Sequence, residues 1–222
     1  LNFVSHLVLA FAARRDDGFL LGAMLPDFAS MAGVRLAPAT LGADGLSDVR
    51  AGMLHHLRVD DVFHVHPHFI SLTAACVDQL TAAGVPRGPA RAVAHVGVEM
   101  LIDGELGHDA FLVDVYGRTI AWGARQAADW PFEDAGRLAG LLWRLQKLGF
   151  PHEYASPEAV TERVLRMFAA RPRLALQGAD ASHVVGALRV AQGGVRACVA
   201  YIFGDLHAAL AIGDAEHNEP SR

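Results

Sequence analysis

Cysteine is scarce in this 222-residue chain: only Cys76 and Cys198, far apart. Two such residues match no metal-type spacing and build no disulfide scaffold, so both read as ordinary buried thiols of a reducing compartment. Positive charge is short as well. Nineteen Lys and Arg against 24 Asp and Glu leave a net charge of −5, and nothing global invites nucleic acid. A Gly-x-Ser-x-Gly nucleophile turn is missing, as are the glycine patterns of dinucleotide and phosphate loops; Gly193-Gly194 is an isolated pair. No internal period and no low-complexity linker divides the chain. Apolar runs are interrupted. Arg196, Asp205 and His207 break the stretch from Val195 to Ile212, so no membrane span is expected. Arg14, Arg15, Asp16 and Asp17 cut short the apolar start, whereas a signal peptide carries its charge ahead of the apolar stretch. A cytoplasmic protein is the expectation.

What is present is helical pattern. Hydrophobic residues make up 52% of the chain, rich in Ala and Leu, with only three Tyr, which leans towards an α-rich protein with a real core. Periodicity predicts helices at about 2–13, 18–32, 47–62, 67–83, 89–107, 118–129, 134–148, 157–170 and 181–211. Ser156-Pro157-Glu158 forms an N-terminal signature, and Gly149-Phe150-Pro151 a break before it. Residues 1–9 alternate well enough to allow a strand instead. The Gly/Ala/Pro-rich segment 33–46 reads as a loop over the surface or the site. One helical domain over residues 1–212 and a polar, frayed tail over 213–222 are expected.

Chemistry concentrates in the first half. Seven residues read as one metal site: His6, Asp27, His56, Asp60, His95, Glu99 and Asp103. His56-x-x-x-Asp60 and His95-x-x-x-Glu99-x-x-x-Asp103 place imidazole and carboxylate one above the other on a helix face. Such stripes build cation sites in helical bundles. The second stripe runs through Val98, Met100, Leu101 and Ile102, where an ionised carboxylate is costly unless paired or bound to a cation. A ladder of buried salt bridges is the structural alternative, and Arg87 and Arg91, the nearby bases, fit it poorly for Asp103. Asp27 follows Pro26 in apolar company and has an N-cap role as its plain alternative; His6 has that of a hydrogen-bonded core histidine. Mixed nitrogen and oxygen donors suit manganese, iron or zinc better than calcium. Three histidines and four carboxylates are enough for two ions.

His55, His64, His66 and His68 crowd around the same segment, either as a polar cluster at a helix end or as site residues. Further on, Arg163, Arg166, Arg171 and Arg173 form a basic stretch in an acidic chain. It reads as a solvated helix end or as an anion site for a phosphate or an acidic partner helix.

These blocks resemble the acyl carrier protein phosphodiesterases, also called acyl carrier protein hydrolases, placed with the HD-type metal-dependent phosphohydrolases. The family opens Asn-Phe-Leu-Ala-His-Leu, matched by Asn2-Phe3-Val4-Ser5-His6-Leu7. Its Gly-Asn-Leu-Leu-x-Asp-Phe is similar to Gly22-Ala23-Met24-Leu25-Pro26-Asp27-Phe28. Its Gly-Ile-x-x-His-Arg-x-Ile-Asp and Thr-Asp-x-His-Pro fall on Gly52–Asp60 and Phe63-His64-Val65-His66-Pro67. Its Asp-x-x-x-Asp-His falls on Glu99–Gly104, and its Met-Ala-x-Arg-x-Pro-Arg-Leu on Phe168–Leu174. The similarity spans about 2–205. Departures are specific: Gly104 stands where the family has histidine, Leu57 where it has arginine (with Arg58 adjacent), His64 where it has aspartate, and Glu99 where it has aspartate. His95 is an addition. Several swaps exchange one ligand type for another, as expected of a metal site with altered make-up.

The resemblance implies an all-α, single-domain bundle of the HD-phosphohydrolase-like type, a divalent cofactor and release of 4′-phosphopantetheine from the serine of holo-acyl carrier protein. Manganese comes first, with zinc, iron or magnesium as other candidates. Asp60 or Asp103 would be the catalytic carboxylate, and Arg58, His64, His66, Arg171 and Arg173 would bind the substrate. The paired helices are also similar to zinc-dependent phospholipase C enzymes and related nucleases, which begin with a metal-binding Trp where this chain has Leu1. A non-catalytic metal-binding or regulatory protein of the same fold is a further reading. A ferritin-like oxidase comes last, because the repeated Glu-x-x-His is missing.

Overall fold

The computed structural model describes residues 1–41, 46–176 and 178–217, and these are all-α. Nine α-helices follow in order among them: α1 (Phe3–Ala13), α2 (Asp17–Ala32), α3 (Ser47–Phe63), α4 (Pro67–Ala82), α5 (Arg87–Leu106), α6 (Ala110–Gln126), α7 (Ala135–Leu148), α8 (Pro157–Ala169) and α9 (Ala181–His217). Side-chain caps set several of the starts. Asp16 accepts from the Phe19 amide, Asp109 from Phe111, and Ser156 from Ala159 with Pro157 at the first helical position. His66 caps α4 by accepting from the His68 amide, with Pro67 next in line. Gly33, at φ 65°, closes α2 in the left-handed conformation that a glycine adopts without strain.

Most helices lie within a few residues of where periodicity puts them, and three differ, two of them for reasons of packing. The opening segment is a helix and not a strand: Phe3, Val4, Leu7, Leu9 and Ala10 are all buried, so its apolar residues cover every side rather than alternating. Helix α6 begins at Ala110 and ends at Gln126, where the sequence suggested 118–129. Its first two turns hold Val113, Val115 and Gly117, poor helix formers, yet Leu112, Val115, Tyr116, Thr119, Ile120 and Gly123 bury one face. Packing outweighs propensity there. Helix α9 continues through His217 instead of stopping near 211, so residues 213–217 of the expected frayed tail are helical. Residues 218–222 of that tail, and 42–45 of the expected 33–46 loop, lie outside the described residues. Within that loop, Pro38–Leu41 makes a 3-10 turn that buries Leu41 completely.

The chain divides into two compact units, each assembled from separated segments. The first takes Leu1–Asp61, Leu106–Pro151 and the chain from Leu210 on. Its centre is α2, packed by α1, α6 and α7. Phe3, Phe28, Tyr116 and Phe150 form a connected aromatic core at centroid separations of 5.2–6.1 Å. The second unit takes Val62–Glu105 and His152–Ala209. Long α9 crosses it. A Leu188 methyl sits over Gly97 on α5, Gln192 donates to the Ala155 carbonyl at 2.7 Å, and Arg196 pairs with Glu105 at 2.8 Å. By length and composition alone, Ala181–Ile212 is apolar enough to cross a membrane. Both thiols are buried, and burial pushes Cys76 up to about 11.

Candidate functional site

A close helix crossing in the first unit positions the first group of ligand-type side chains. Helices α2 and α3 meet at Gly22 and Gly52. A Cβ on Gly22 would run into the Val49 carbonyl, and one on Gly52 into the Phe19 carbonyl. Only glycine allows this approach, and it sets the backbone of α2 beside the next turn of α3. There the His56 Nδ1–H donates to the Ala23 carbonyl at 2.8 Å. That bond fixes the ring and its tautomer and leaves Nε2 as the working nitrogen, the usual arrangement of a metal-ligating histidine.

His6, from α1, stacks on His56 with ring centroids 3.6 Å apart. It is completely buried, and neither of its ring nitrogens has a hydrogen-bond partner. Its Nε2 lies 3.2 Å from Asp60 Oδ1 without the alignment of a hydrogen bond, while His56 Nε2 lies 3.4 Å from Asp60 Oδ2. The Leu1 amine is 3.0 Å from the same Oδ1. Asp27 completes the set: one ligand atom from each of His6, Asp27 and His56 falls within 4.8 Å of the others. Ligands bound at about 2.0–2.2 Å must lie roughly 3–4.4 Å from one another, so little movement closes this group on a cation.

Electrostatics bears on how this group carries charge. Burial drives His6 down to about 3, only partly offset by Asp60. His56 is raised: burial opposes its charge, but the hydrogen bond to Asp60 and the charge of Asp27 outweigh it. Asp60 is held far below the usual carboxylate range, against its own burial, by His56 and His6. The surroundings thus favour charge on His56, beside a His6 imidazole held neutral by burial and without a hydrogen-bond partner at either ring nitrogen. A buried polar group left unsatisfied costs about 1–3 kcal/mol, and a divalent cation is the partner that would satisfy this one. The donor set of two imidazoles and the Asp27 carboxylate, with Asp60 alongside, fits manganese, iron or zinc.

The second unit holds a second group. Nε2 of His64 and Nε2 of His95 approach the same oxygen, Glu99 Oε1, at 3.3 and 3.1 Å. Their rings stack at 5.1 Å, and the ligand atoms of the three residues lie within 4.8 Å of one another. The two histidines hold Glu99 well below the ordinary carboxylate range in spite of its burial. Asp103, one turn further along α5, is 1% exposed. At Gly104, where the family pattern has histidine, a Cβ would run into the Tyr154 carbonyl, so the close crossing of α5 by the His152–Ala155 turn leaves no room for a side chain.

The seven ligand candidates and His64 therefore fall into a His6–Asp27–His56–Asp60 group and a His64–His95–Glu99 group, with Asp103 beside the latter on α5. The remaining substrate-binding candidates have other surroundings. His66 is buried, caps α4 and pairs with Asp205 at 3.2 Å. Arg171 lies over the Phe168 ring at 5.8 Å, and Arg58 and Arg173 are exposed. Sequence reasoning missed the positioning role of Gly22, Gly52 and the Ala23 carbonyl. A signal existed: a glycine stands one turn before His56 and five residues before Asp27. No family model matches this chain, and neither a curated protein nor a solved structure matches it.

Proposed function

We propose that this chain is a metal-dependent phosphodiesterase whose divalent cation is held by His6, Asp27 and His56, with Asp60 beside them. The observation that carries the reading is His6, a fully buried imidazole with no hydrogen-bond partner, set against His56 and within reach of two carboxylates. When bound, a divalent cation supplies Lewis acidity towards a phosphoryl oxygen and makes a nearby water more acidic. The chain's own residues do the rest. The Ala23 carbonyl holds the His56 ring in place. Asp60, with 26% of its side chain exposed against 1% of residue Asp103, is the carboxylate with access to solvent. It takes the proton as water attacks phosphorus and the P–O ester bond breaks, and a proton is returned to the leaving alkoxide. By resemblance, the substrate is holo-acyl carrier protein and the product 4′-phosphopantetheine.

A non-catalytic metal-binding protein of the same fold is the competing reading, favoured by the tight packing at Gly104, which leaves no place for the histidine of the family pattern. Incubating the protein and Mn²⁺ with holo-carrier, then weighing the carrier, separates the two. The carrier should lose its phosphopantetheine, and bis-p-nitrophenyl phosphate should be hydrolysed. Bound metal with neither reaction supports the non-catalytic reading.

A further inference from the structure

The second unit carries a feature that phosphodiesterase chemistry at the first group leaves unused. His64, on the turn after α3, and His95, on α5, turn the same nitrogen towards one oxygen of Glu99. The carboxylate is 11% exposed while the imidazoles are 36% and 47% exposed, so the charge is buried and its partners are open to solvent. Phe69 stands edge-on to both rings, at 5.8 and 5.3 Å, and walls one side. His64 Nε2 is hydrogen-bonded to Glu99 Oε1, and His95 Nε2 faces the same oxygen. A cation would take both nitrogens, in place of any proton they carry, and the carboxylate oxygen at once.

His95 also lines an open groove of about 370 Å³ between α4 and α5. Thr73 and Asp78 line it from α4, and Arg87 and Arg91 from α5. Arg87, Arg91, His95 and Glu99 succeed one another at four-residue steps, so two guanidinium groups lead along one helix face to the histidine–carboxylate group. Neither arginine forms an ion pair among the described residues, and two cations against the single Asp78 leave the groove positive. Free guanidinium groups in a groove are suited to a phosphoryl oxyanion.

We propose that His64, His95 and Glu99 form a second, separate site for a zinc-class divalent ion, and that the adjoining groove binds a phosphoryl oxyanion through Arg87 and Arg91. Two imidazoles and one carboxylate are a three-ligand set of the kind that leaves a coordination position open. Both histidines are exposed enough to be replaced without opening a core.

The test counts ions. Zinc bound per chain is measured after gel filtration for the wild type, for the double variant His64→Gln/His95→Gln and for His6→Leu. Two ions in the wild type and one in the double variant are expected, with at least ~10-fold weaker binding for each single histidine variant. Zinc should also shift the Nε2 resonances of His64 and His95 in ¹⁵N-histidine-labelled wild type, a reading that needs no variant. An undiminished count in the double variant, or unmoved resonances, overturns the second site. Loss confined to His6→Leu does the same while leaving the first site standing. Loss confined to the double variant sinks the first site and upholds this one. For the groove, inorganic phosphate is titrated into zinc-loaded wild type and Arg87→Gln/Arg91→Gln. Phosphate affinity should fall at least ~10-fold at an unchanged zinc count, and equal affinity removes the anion half of the proposal.

Discussion

The two histidine–carboxylate groups use the same residue types and differ in what surrounds them. In the first, His6 is sealed from solvent, His56 is held by a backbone carbonyl, and two helices touch backbone to backbone to make the pocket. In the second, the imidazoles are exposed, no backbone group among the described residues holds them by a hydrogen bond, and of the three only Glu99 is buried. Preorganisation costs stability in one place and hardly any in the other. A rigid, water-poor site favours chemistry, since fixed dipoles and ligands need no rearrangement during reaction. An open, loosely oriented site exchanges its ion more readily. Under the function proposed above, the reaction belongs to the first group; under the second-site proposal, exchangeable ion binding belongs to the other.

The strongest way to break this contrast is at the helix crossing. Gly52→Ala puts a methyl into the Phe19 carbonyl and should destabilise the protein by about 3 kcal/mol or more. Gly88→Ala on α5, where a Cβ meets nothing, should change stability by less than ~0.5 kcal/mol. Denaturant titration of both variants checks the pair. Equal stability would mean that the crossing does not constrain the His56 pocket.

His6→Leu comes next and should move stability and activity in opposite directions. It removes an imidazole that has no hydrogen-bond partner, so the metal-free protein should gain about 1 kcal/mol while phosphodiesterase activity falls at least ~100-fold. Its pH profile supplies an independent reading. A histidine whose folded value is about 3, against 6.5 when unfolded, binds fewer protons folded than unfolded between those limits. The stability it allows is therefore complete above pH 6.5 and declines as pH falls towards 3. Metal-free wild type should lose stability through that window, by on the order of 4 kcal/mol from this group. His6→Leu should lose correspondingly less, and parallel curves would refute the buried neutral imidazole.

How far the sequence could be read follows from the same contrast. Ligand stripes at four-residue steps are local, and helix geometry alone turns His56 towards Asp60 and His95 towards Glu99. The helices themselves were legible wherever capping and periodicity agreed. Two kinds of fact were not. Partition of seven residues into two groups depends on which segments share a compact unit, and nothing local encodes that. Gly22, Gly52 and Gly104 look like weak points in a helix, because propensity assigns glycine only a cost and not the close approach it permits. Val113, Val115 and Gly117 hid the start of α6 for the related reason that burial of one face outweighs poor propensity.

Glu99→Gln probes the looser group with a smaller effect. The carboxylate is held low by His64 and His95 when folded, so it contributes stability above its ordinary unfolded range near pH 4.5 and loses it as pH falls. Metal-free Glu99→Gln should be less stable than wild type at pH 7, by about 1–3 kcal/mol, and the difference should shrink as the solution is acidified towards pH 3. A difference constant with pH would show that the amide lost packing rather than charge. Smallest of all is Arg189→Ala, which removes an ion pair with Glu158. Both partners are more than half exposed, so the pair gains little in water and is screened by salt. Stability should change by under ~0.5 kcal/mol and the zinc count not at all. A larger loss, or a lost ion, would mean that α9 supports the second group through its charges and not only through apolar contacts such as Leu188 over Gly97.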